Sequence, residues 1–289
     1  MPCRFNFNYY VFMKTHLTKT DQSTPRRFAG FTLTELFVVI TTTAILALLM
    51  LPALARAQTM DHRFTCFENF RQLTLGWLMY ANSNNEKIAR TGGMDSFVEN
   101  PNDPRIMRGG ALEQWCPGSV DAGHGPASTN ALLIMRGAIF PQVRNVKVYK
   151  CPADMKNYIG VPTVRSVSIN CWFNPINAWM ETNGKFLRKL SDMTTLPPAR
   201  TWTFIEENAD SINDGWFVVN VGTTPRSLTW IDYPASYHDN AATLSFADGH
   251  VEIKKWSDKN VLKVPPGIPR LSGDGPDLWW LSERATAMR

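Results

Sequence analysis

The feature that most constrains this chain is a predominantly apolar run of 21 residues, 31–51, near its N-terminus. An α-helix of that length rises about 30 Å, which matches the hydrocarbon core of a bilayer. The run contains one charged residue, Glu35, and follows the pair Arg26 and Arg27. Because flanking positive charge stays on the cytoplasmic side, the pattern predicts one membrane-spanning helix with a cytoplasmic N-terminus and the rest of the chain outside.

The rest of the chain has the composition of a folded domain. Of 289 residues, 44% are hydrophobic and 19% are charged, which is typical of a chain with a packed core. The net charge of +5 comes mostly from the first 30 residues, where one acid, Asp21, faces five basic residues: Arg4, Lys14, Lys19, Arg26 and Arg27. The remainder is close to neutral, so nucleic acid is not an expected partner.

A glycine, Gly30, lies directly before the apolar run, whereas an ordinary secretory signal is cut after its apolar region. Residues 30–36, Gly-Phe-Thr-Leu-Thr-Glu-Leu, resemble the processing signal of type IV prepilins. The resemblance implies that a prepilin peptidase removes residues 1–30 and methylates the new N-terminal Phe31. The leader begins at Met1 or at Met13, and in the second case Cys3 has no role.

Glu35 is the fifth residue after the expected cut. A carboxylate in the membrane costs about 2.5–3.5 kcal/mol on insertion scales, so its presence needs a reason. The pilin resemblance supplies one, because Glu35 would neutralise the free amine of a neighbouring subunit and set the stagger between pilin-like subunits. The alternative is a plain membrane anchor that tolerates a glutamate near its end.

The helix is expected to continue beyond the membrane. Residues 31–55 form its transmembrane part, which Pro52 is expected to bend, and residues 56–82 form an amphipathic continuation. Five residues recur at steps of four and three, which places them on one stripe of a helix facing a core: Cys66, Phe70, Leu73, Trp77 and Tyr80.

Four further segments resemble a family of pilin-like proteins often called prepilin-type processing-associated proteins. They are residues 66–72 (with Phe70 in place of the family's usual Leu), residues 146–154, residues 165–170, and a His-x9-Asp-Gly pattern formed by His238, Asp248 and Gly249. The resemblance is specific over 26–82 and 199–255 and patchy over 146–171. It implies an α+β, pilin-like fold in which a long N-terminal helix packs on an antiparallel β-sheet.

The globular domain is expected to cover residues 83–256, followed by an extended, surface-bound tail over 257–289. One expected strand ends at Cys151, and others cover residues 165–170, 201–206 and 216–221, with Trp202 and Phe204 on one face. Residues 242–253 predict a hairpin around the Asp248-Gly249 turn.

The loop over 207–215 offers several oxygen ligands and is a candidate calcium site: Glu207, Asp210, Asn213 and Asp214. Asx-rich turns without metal have the same composition, and no other cofactor is indicated. His238 and Asp248 invite comparison with a metal-dependent hydrolase, but Asp248 already has a turn role, no activated nucleophile accompanies the pair, and His238 beside Asn240 suits a loop cap. The spacing of ligands in the sequence does not support a metal role for His238. We therefore expect no enzymatic activity.

Four cysteines follow the membrane segment: Cys66, Cys116, Cys151 and Cys171. Outside the cytoplasm they would form two disulfides, and the alternative is buried free thiols. Cys66 lies on the stripe that faces the domain, and Cys151 ends an expected strand, so we expect these two to pair. The remaining pair would be Cys116 with Cys171.

The expected function is that of a structural subunit of a pseudopilus or type IV pilus-like fibre, as in type II secretion. Its partners would be the prepilin peptidase, other pilin-like subunits and the cytoplasmic membrane. A membrane-anchored module that binds glycans or envelope polymers is the alternative. Ten tryptophans could stack on sugar rings or pack in the core, and packing is favoured for most.

Overall fold

The computed structural model of the chain describes residues 30–93, 96–120, 122–177, 183–264, 271 and 275–288, with the side chains of 53, 55, 56 and 122–124 left out. The leader before Gly30, with both candidate start residues and Cys3, lies outside the described residues. The chain forms two compact units, Met1–Leu51 and Pro52–Arg289.

One helix, α1 (Leu33–Ser83), begins just after the expected cleavage site and continues through Pro52. It is long and apolar enough to cross a membrane, with a mean hydropathy of 2.4 over its most apolar 18 residues, none of them buried. The hydroxyls of Thr41, Thr42 and Thr43 each donate to the backbone carbonyl four residues earlier, at 2.9, 2.8 and 2.8 Å. These polar groups are therefore satisfied within the helix, as a lipid environment requires.

The later turns of α1 carry the predicted apolar stripe. Cys66, Phe70, Leu73 and Trp77 are buried, and Tyr80 packs against the same core. The helix ends at Ser83, one residue beyond the expected end, in a turn in which Asn85 and Glu86 have positive φ. The later turns of α1 therefore present one buried face to the domain.

The second unit contains a two-stranded hairpin and a five-stranded sheet. The hairpin pairs β1 (Asn157–Tyr158) with β2 (Val161–Pro162). The sheet has the order β5-β3-β4-β6-β7, and its strands are β3 (Val167–Asn170), β4 (Trp202–Glu206), β5 (Trp216–Phe217), β6 (Ala241–Phe246) and β7 (Val251–Lys255). Every pairing in it is antiparallel except β3 with β5, so the α+β class is confirmed but the sheet is mixed.

Short helices complete the described fold. The α-helices are α2 (Ala131–Met135), α3 (Phe140–Val143), α4 (Lys259–Leu262) and α5 (Pro276–Ser282). The 3₁₀-helices are Pro104–Ile106, Ala122–Thr129, Val146–Tyr149, Leu190–Asp192, Pro198–Arg200 and Pro225–Ser227.

The sheet is buried on both faces, which explains why β3, β4 and β6 contain only buried residues. One core lies between the sheet and α1, where the Trp77 ring stacks on Phe173 with centroids 5.4 Å apart. The other core receives the C-terminal residues, including Leu278 and Leu281 of α5. Each face thus buries a continuous apolar layer, the dominant source of stability.

A register shift in the pairing of β4 with β6, between Trp202 and Ile205, changes which side chains share a face. Trp202 and Ile205 belong to the core beneath α5, whereas Phe204 belongs to the core beneath α1. The expectation that Trp202 and Phe204 lie on one face is therefore wrong, because an irregularity in a strand breaks its strict alternation.

Two expected elements differ in the structure. Val146–Tyr149 is a 3₁₀-helix rather than a strand, because the Asn145 side chain caps it by accepting a hydrogen bond from the Lys147 N–H. The strand expected over 216–221 is limited to Trp216–Phe217.

The C-terminal tail is not extended. Residues 276–282 form α5, and Leu278, Leu281 and Ala285 are fully buried. The Asp277 carboxylate, 2% exposed, accepts hydrogen bonds from the Ser257 and Asp258 N–H groups at 2.6 and 2.7 Å. The tail is thus part of the folded domain rather than a surface strap.

Candidate functional site

The residues of the expected cleavage signal lie at the start of α1. Phe31 is 81% exposed, and helical geometry begins at Leu33. Thr32 and Glu35 form a reciprocal cap, in which the Thr32 N–H and hydroxyl both donate to Glu35 Oε2 at 2.8 Å and the Glu35 N–H donates to Thr32 Oγ1 at 3.3 Å. This is a capping box, which stabilises a helix start by satisfying backbone N–H groups.

The capping box gives Glu35 a role inside its own chain that sequence reasoning did not assign. The Thr-x-x-Glu spacing was the available signal. The carboxylate is bonded to the residue directly after Phe31, so it lies close to where the amine of Phe31 would be after cleavage. The observed capping contacts therefore involve the same carboxylate that is expected to pair with the amine of a neighbouring subunit.

A second site lies in the core beneath α1, where four side chains converge: Cys66, Cys151, Glu206 and His238. One ligand atom from each lies within 4.8 Å of the others, and among the described His, Cys, Asp and Glu residues this is the one such group of three or more. All four are buried, none more than 1% exposed. The burial of four polar or ionisable side chains in one place is costly unless they hydrogen-bond to one another or bind a ligand.

The contacts between the four side chains are direct. The two sulfurs of Cys66 and Cys151 are 2.8 Å apart, and Cys151 Sγ lies 3.5 Å from His238 Nε2. The same Nε2 lies 3.2 Å from Glu206 Oε2, while Cys66 Sγ lies 3.7 Å from Glu206 Oε1. His238 Nδ1 has no hydrogen-bond partner in the described part of the chain, so Nε2 is the ring nitrogen turned toward the cluster.

Two of the four residues come from regular elements. Cys66 lies on the buried stripe of α1, and Glu206 is the last residue of β4. Since Phe204 packs toward α1, Glu206 two residues later lies on that same face and meets Cys66.

The other two residues come from tight turns. Cys151 follows the 3₁₀-helix Val146–Tyr149, and its N–H donates to Ser166 Oγ at 2.6 Å. His238 precedes Asp239 and Asn240, both at positive φ, and the His238 N–H donates to the Ala241 carbonyl oxygen at 3.2 Å. Asp and Asn tolerate that conformation better than other residues with side chains, so this sequence reverses the chain and places His238 beside β6.

The electrostatics of the cluster are strongly coupled. Burial alone would lower the pKa of His238, but its contacts with Cys151 and Glu206 outweigh burial and raise that pKa to about 10. Burial, then the Cys66 contact and the Glu206 charge, raises the pKa of the Cys151 thiol. Contact with Cys151 lowers the pKa of Cys66. Burial and Glu206 together raise that pKa by more, so its net shift is upward. The buried Cys66 and Cys151 thiols therefore lose their protons less readily than exposed thiols, and His238 lies beside the Glu206 carboxylate.

The structure brings together residues from the separate segments on which the family resemblance depends. Cys66, Cys151 and His238 each come from one of those segments, and Ser166 from a fourth bonds the backbone of Cys151. Glu206 was missed, and its one signal was a carboxylate ending an otherwise apolar strand. The expectation that His238 caps a loop is wrong, because its imidazole is buried against Glu206 and Cys151.

Asp248 and Gly249 lie apart from these contacts, in the turn of the β6–β7 hairpin. Gly249 has φ +100, and Asp248 accepts hydrogen bonds from the backbone and the imidazole of His250. The expected hairpin turn is therefore confirmed. The carboxylate that contacts His238 is Glu206 rather than Asp248.

All four cysteines after the membrane segment are buried free thiols in the structure. Cys66 and Cys151 are in contact but not bonded, since a disulfide needs a sulfur separation of about 2.05 Å. Cys116 and Cys171 lie in different cores, with their sulfurs 3.9 and 3.8 Å from the carbonyl oxygens of Pro117 and Val219. Both expected disulfides stay predictions.

Two carboxylates of the candidate calcium loop accept hydrogen bonds from protein donors. Glu207 accepts hydrogen bonds from the hydroxyls of Ser168 and Ser211, at 2.5 and 2.9 Å. Asp214 accepts from the backbone and indole N–H groups of Trp216, at 3.0 and 2.6 Å. Asp210 is exposed and Asn213 is half-buried. Glu207 and Asp214 therefore act as acceptors within the protein, and calcium binding in this loop stays a prediction.

Most tryptophans are packed in the core, as expected. Seven of the nine that the structure describes are buried: Trp77, Trp115, Trp172, Trp202, Trp216, Trp230 and Trp256. Trp279 and Trp280 are partly buried, and the Trp280 ring lies beneath the guanidinium of Arg284 at 4.5 Å from its centroid. Buried rings offer no surface for stacking on sugars.

No protein-family model matches the chain, and neither a curated protein nor a solved structure is similar to it at a significant level.

Proposed function

We propose that this chain is a structural subunit of a pseudopilus or type IV pilus-like fibre, of the kind used in type II secretion. The observation that carries the proposal is the Gly30-Phe31 step directly before an apolar helix with Glu35 in its first turn. A prepilin peptidase would remove the leader at this step, and the helix would then stay in the cytoplasmic membrane with the domain outside.

The exposed apolar surface of α1 supports assembly through that helix. Residues 33–54 present large side chains to the surroundings, such as Leu33 at 74% and Leu49 at 68% exposure. Such a surface is stable in lipid or against the helices of other subunits. The pilin-like fold is part of this proposal and draws on the packing of the later turns of α1 against the sheet.

Processing is tested by the mass of the mature chain. We expect intact-mass measurement of the membrane fraction to find a chain that begins at N-methylated Phe31. Gly30→Val should leave only precursor, because a branched side chain at the cut blocks the peptidase. A mature N-terminus at another residue would refute the assignment.

Assembly is tested by paired substitutions of Glu35. Glutamine can also complete a capping box, so Glu35→Gln keeps the helix start while removing the charge, whereas Glu35→Ala removes both. If Glu35 neutralises the amine of a neighbouring subunit, both variants insert in the membrane but fail to form cross-linked oligomers or fibres. If Glu35→Gln assembles normally, the charge-pairing role is wrong. A wild type that itself forms no oligomers or fibres would favour the alternative, a static anchor for a binding module.

A further inference from the structure

We propose that Cys66, Cys151, Glu206 and His238 form a metal centre that binds one divalent transition metal of the zinc type. The inference is independent of the proposed function, since all four residues lie in the unit Pro52–Arg289 and none takes part in leader cleavage.

The donor set fits zinc. Thiolates, imidazoles and carboxylates are all ligands of Zn²⁺ in proteins, and hard cations such as Ca²⁺ and Mg²⁺ do not select sulfur. Bound to Zn²⁺, two thiolates, a carboxylate and a neutral imidazole leave a single negative charge. That is less charge to bury than in a four-cysteine site.

The distances between the four side chains are close to those of a tetrahedral site. Zinc bonds of about 2.3 Å to sulfur and about 2.0–2.1 Å to nitrogen and oxygen place neighbouring ligand atoms about 3.3–3.8 Å apart. Cys151 Sγ lies 3.5 Å from His238 Nε2, and the Glu206 carboxylate lies 3.2 Å from His238 through Oε2 and 3.7 Å from Cys66 through Oε1. One ligand atom from each residue lies within 4.8 Å of the others, so small movements would bring a single Glu206 oxygen into the site. The two sulfurs, at 2.8 Å, would separate by about 1 Å on metal binding.

The surroundings favour a metal over a disulfide. The Ala153 N–H donates to Cys151 Sγ at 3.3 Å, a contact that stabilises a thiolate, and the Thr243 N–H donates to Glu206 Oε2 at 3.3 Å. A disulfide between Cys66 and Cys151 would use neither His238 nor Glu206 and would leave both of these polar side chains buried beside it, which is costly. A metal engages all four side chains at once.

The four ligands are far apart in sequence, so the centre can form only as the domain folds. The metal would fix α1 to the sheet through Cys66 and Glu206, and to the two turns through Cys151 and His238. Its binding free energy would then add to the stability of the folded domain.

The first test measures metal content. The full chain is purified in detergent under a phosphine reductant, incubated with Zn²⁺, desalted and analysed by mass spectrometry of metals. We expect one zinc per chain in the wild type and in two control variants, Cys116→Ala and His250→Gln, which change a thiol and an imidazole outside the cluster. Cys66→Ser and His238→Ala should lose the zinc. A zinc-free wild type, or variants that retain zinc, would overturn the proposal.

A second measurement does not depend on the variants folding. Co²⁺ added to the reduced, metal-free wild type should give intense visible bands of a tetrahedral site and a near-ultraviolet sulfur-to-cobalt band, both abolished by excess Zn²⁺. A weak spectrum without the sulfur band means surface binding only and rejects the centre. Peptide mapping of the chain from its native envelope tests the disulfide directly. A Cys66–Cys151 disulfide without bound metal would also reject the metal centre.

Discussion

Asp277 offers a sharp test of how the C-terminal residues hold the domain together. Its Oδ2 accepts from the Ser257 and Asp258 N–H groups at 2.6 and 2.7 Å, and its Oδ1 lies 3.0 Å from Lys254 Nζ. Asp277→Asn keeps the shape but removes the charge and one acceptor oxygen. Because a hydrogen bond to a charged group contributes about 1.5–3 kcal/mol, we expect a loss of about 3 kcal/mol in the free energy of unfolding.

The pH dependence of this loss identifies the carboxylate as its cause. Burial alone would raise the pKa of Asp277, but the Ser257 and Asp258 N–H groups and Lys254 lower it below its usual value. The unfolded state therefore binds the proton more readily, so the contribution is complete above the unfolded pKa of about 3.9 and is lost as the pH falls through the folded pKa. Wild type and Asp277→Asn should converge in acid.

The assay is urea unfolding of the full chain in detergent, followed by tryptophan fluorescence at several pH values. The matched control is Asp239→Asn on the neighbouring turn, whose side chain is 75% exposed and pairs with Lys255 at 3.2 Å. An exposed pair of this kind contributes below about 1 kcal/mol. This role of Asp277 would be refuted if Asp277→Asn lost as little unfolding free energy as Asp239→Asn, or if its loss did not change with pH.

Two other substitutions test the core and the histidine turn by the same unfolding measurement. Trp77→Ala should cost about 3–5 kcal/mol, because it removes a fully buried ring stacked on Phe173, while Leu75→Ala on the 58% exposed face should change little. Asn240→Val should cost more than about 1 kcal/mol, because φ is 61 there and a branched side chain is strained, while Asn240→Gly should be nearly neutral. Equal effects within either pair would contradict these assignments.

The sequence predicted the elements whose signals are local and repeated. The stripe from Cys66 to Tyr80 repeats with helical period, and the β6–β7 hairpin is marked by Asp248-Gly249 between alternating strands. The helical tail was missed because α5 has only seven residues, too few for a periodic pattern, and its apolar side chains find their partner only in the folded sheet.

The buried cluster could be predicted only in part. The contact between Cys66 and Cys151 follows from the orientation of the α1 stripe, although the strand expected to carry Cys151 is a 3₁₀-helix. Glu206 and His238 join the cluster through sheet pairing and a turn with two left-handed residues, which depend on contacts across long stretches of chain. Local patterns carry no information about such contacts.

The position of β7 at the edge of the sheet affects how copies of this domain can approach one another. An uncovered edge strand is a template on which another chain can add its own strand. Such strand addition is a route to non-native aggregates. The edge strand β7 has the sequence Val-Glu-Ile-Lys-Lys, in which Glu252 and Lys255 are exposed and Lys254 forms an ion pair with Asp277. Charged side chains on an edge strand disfavour the addition of a second strand to it. The sheet edge therefore resists open-ended strand addition, which is compatible with the proposed assembly through the apolar helix.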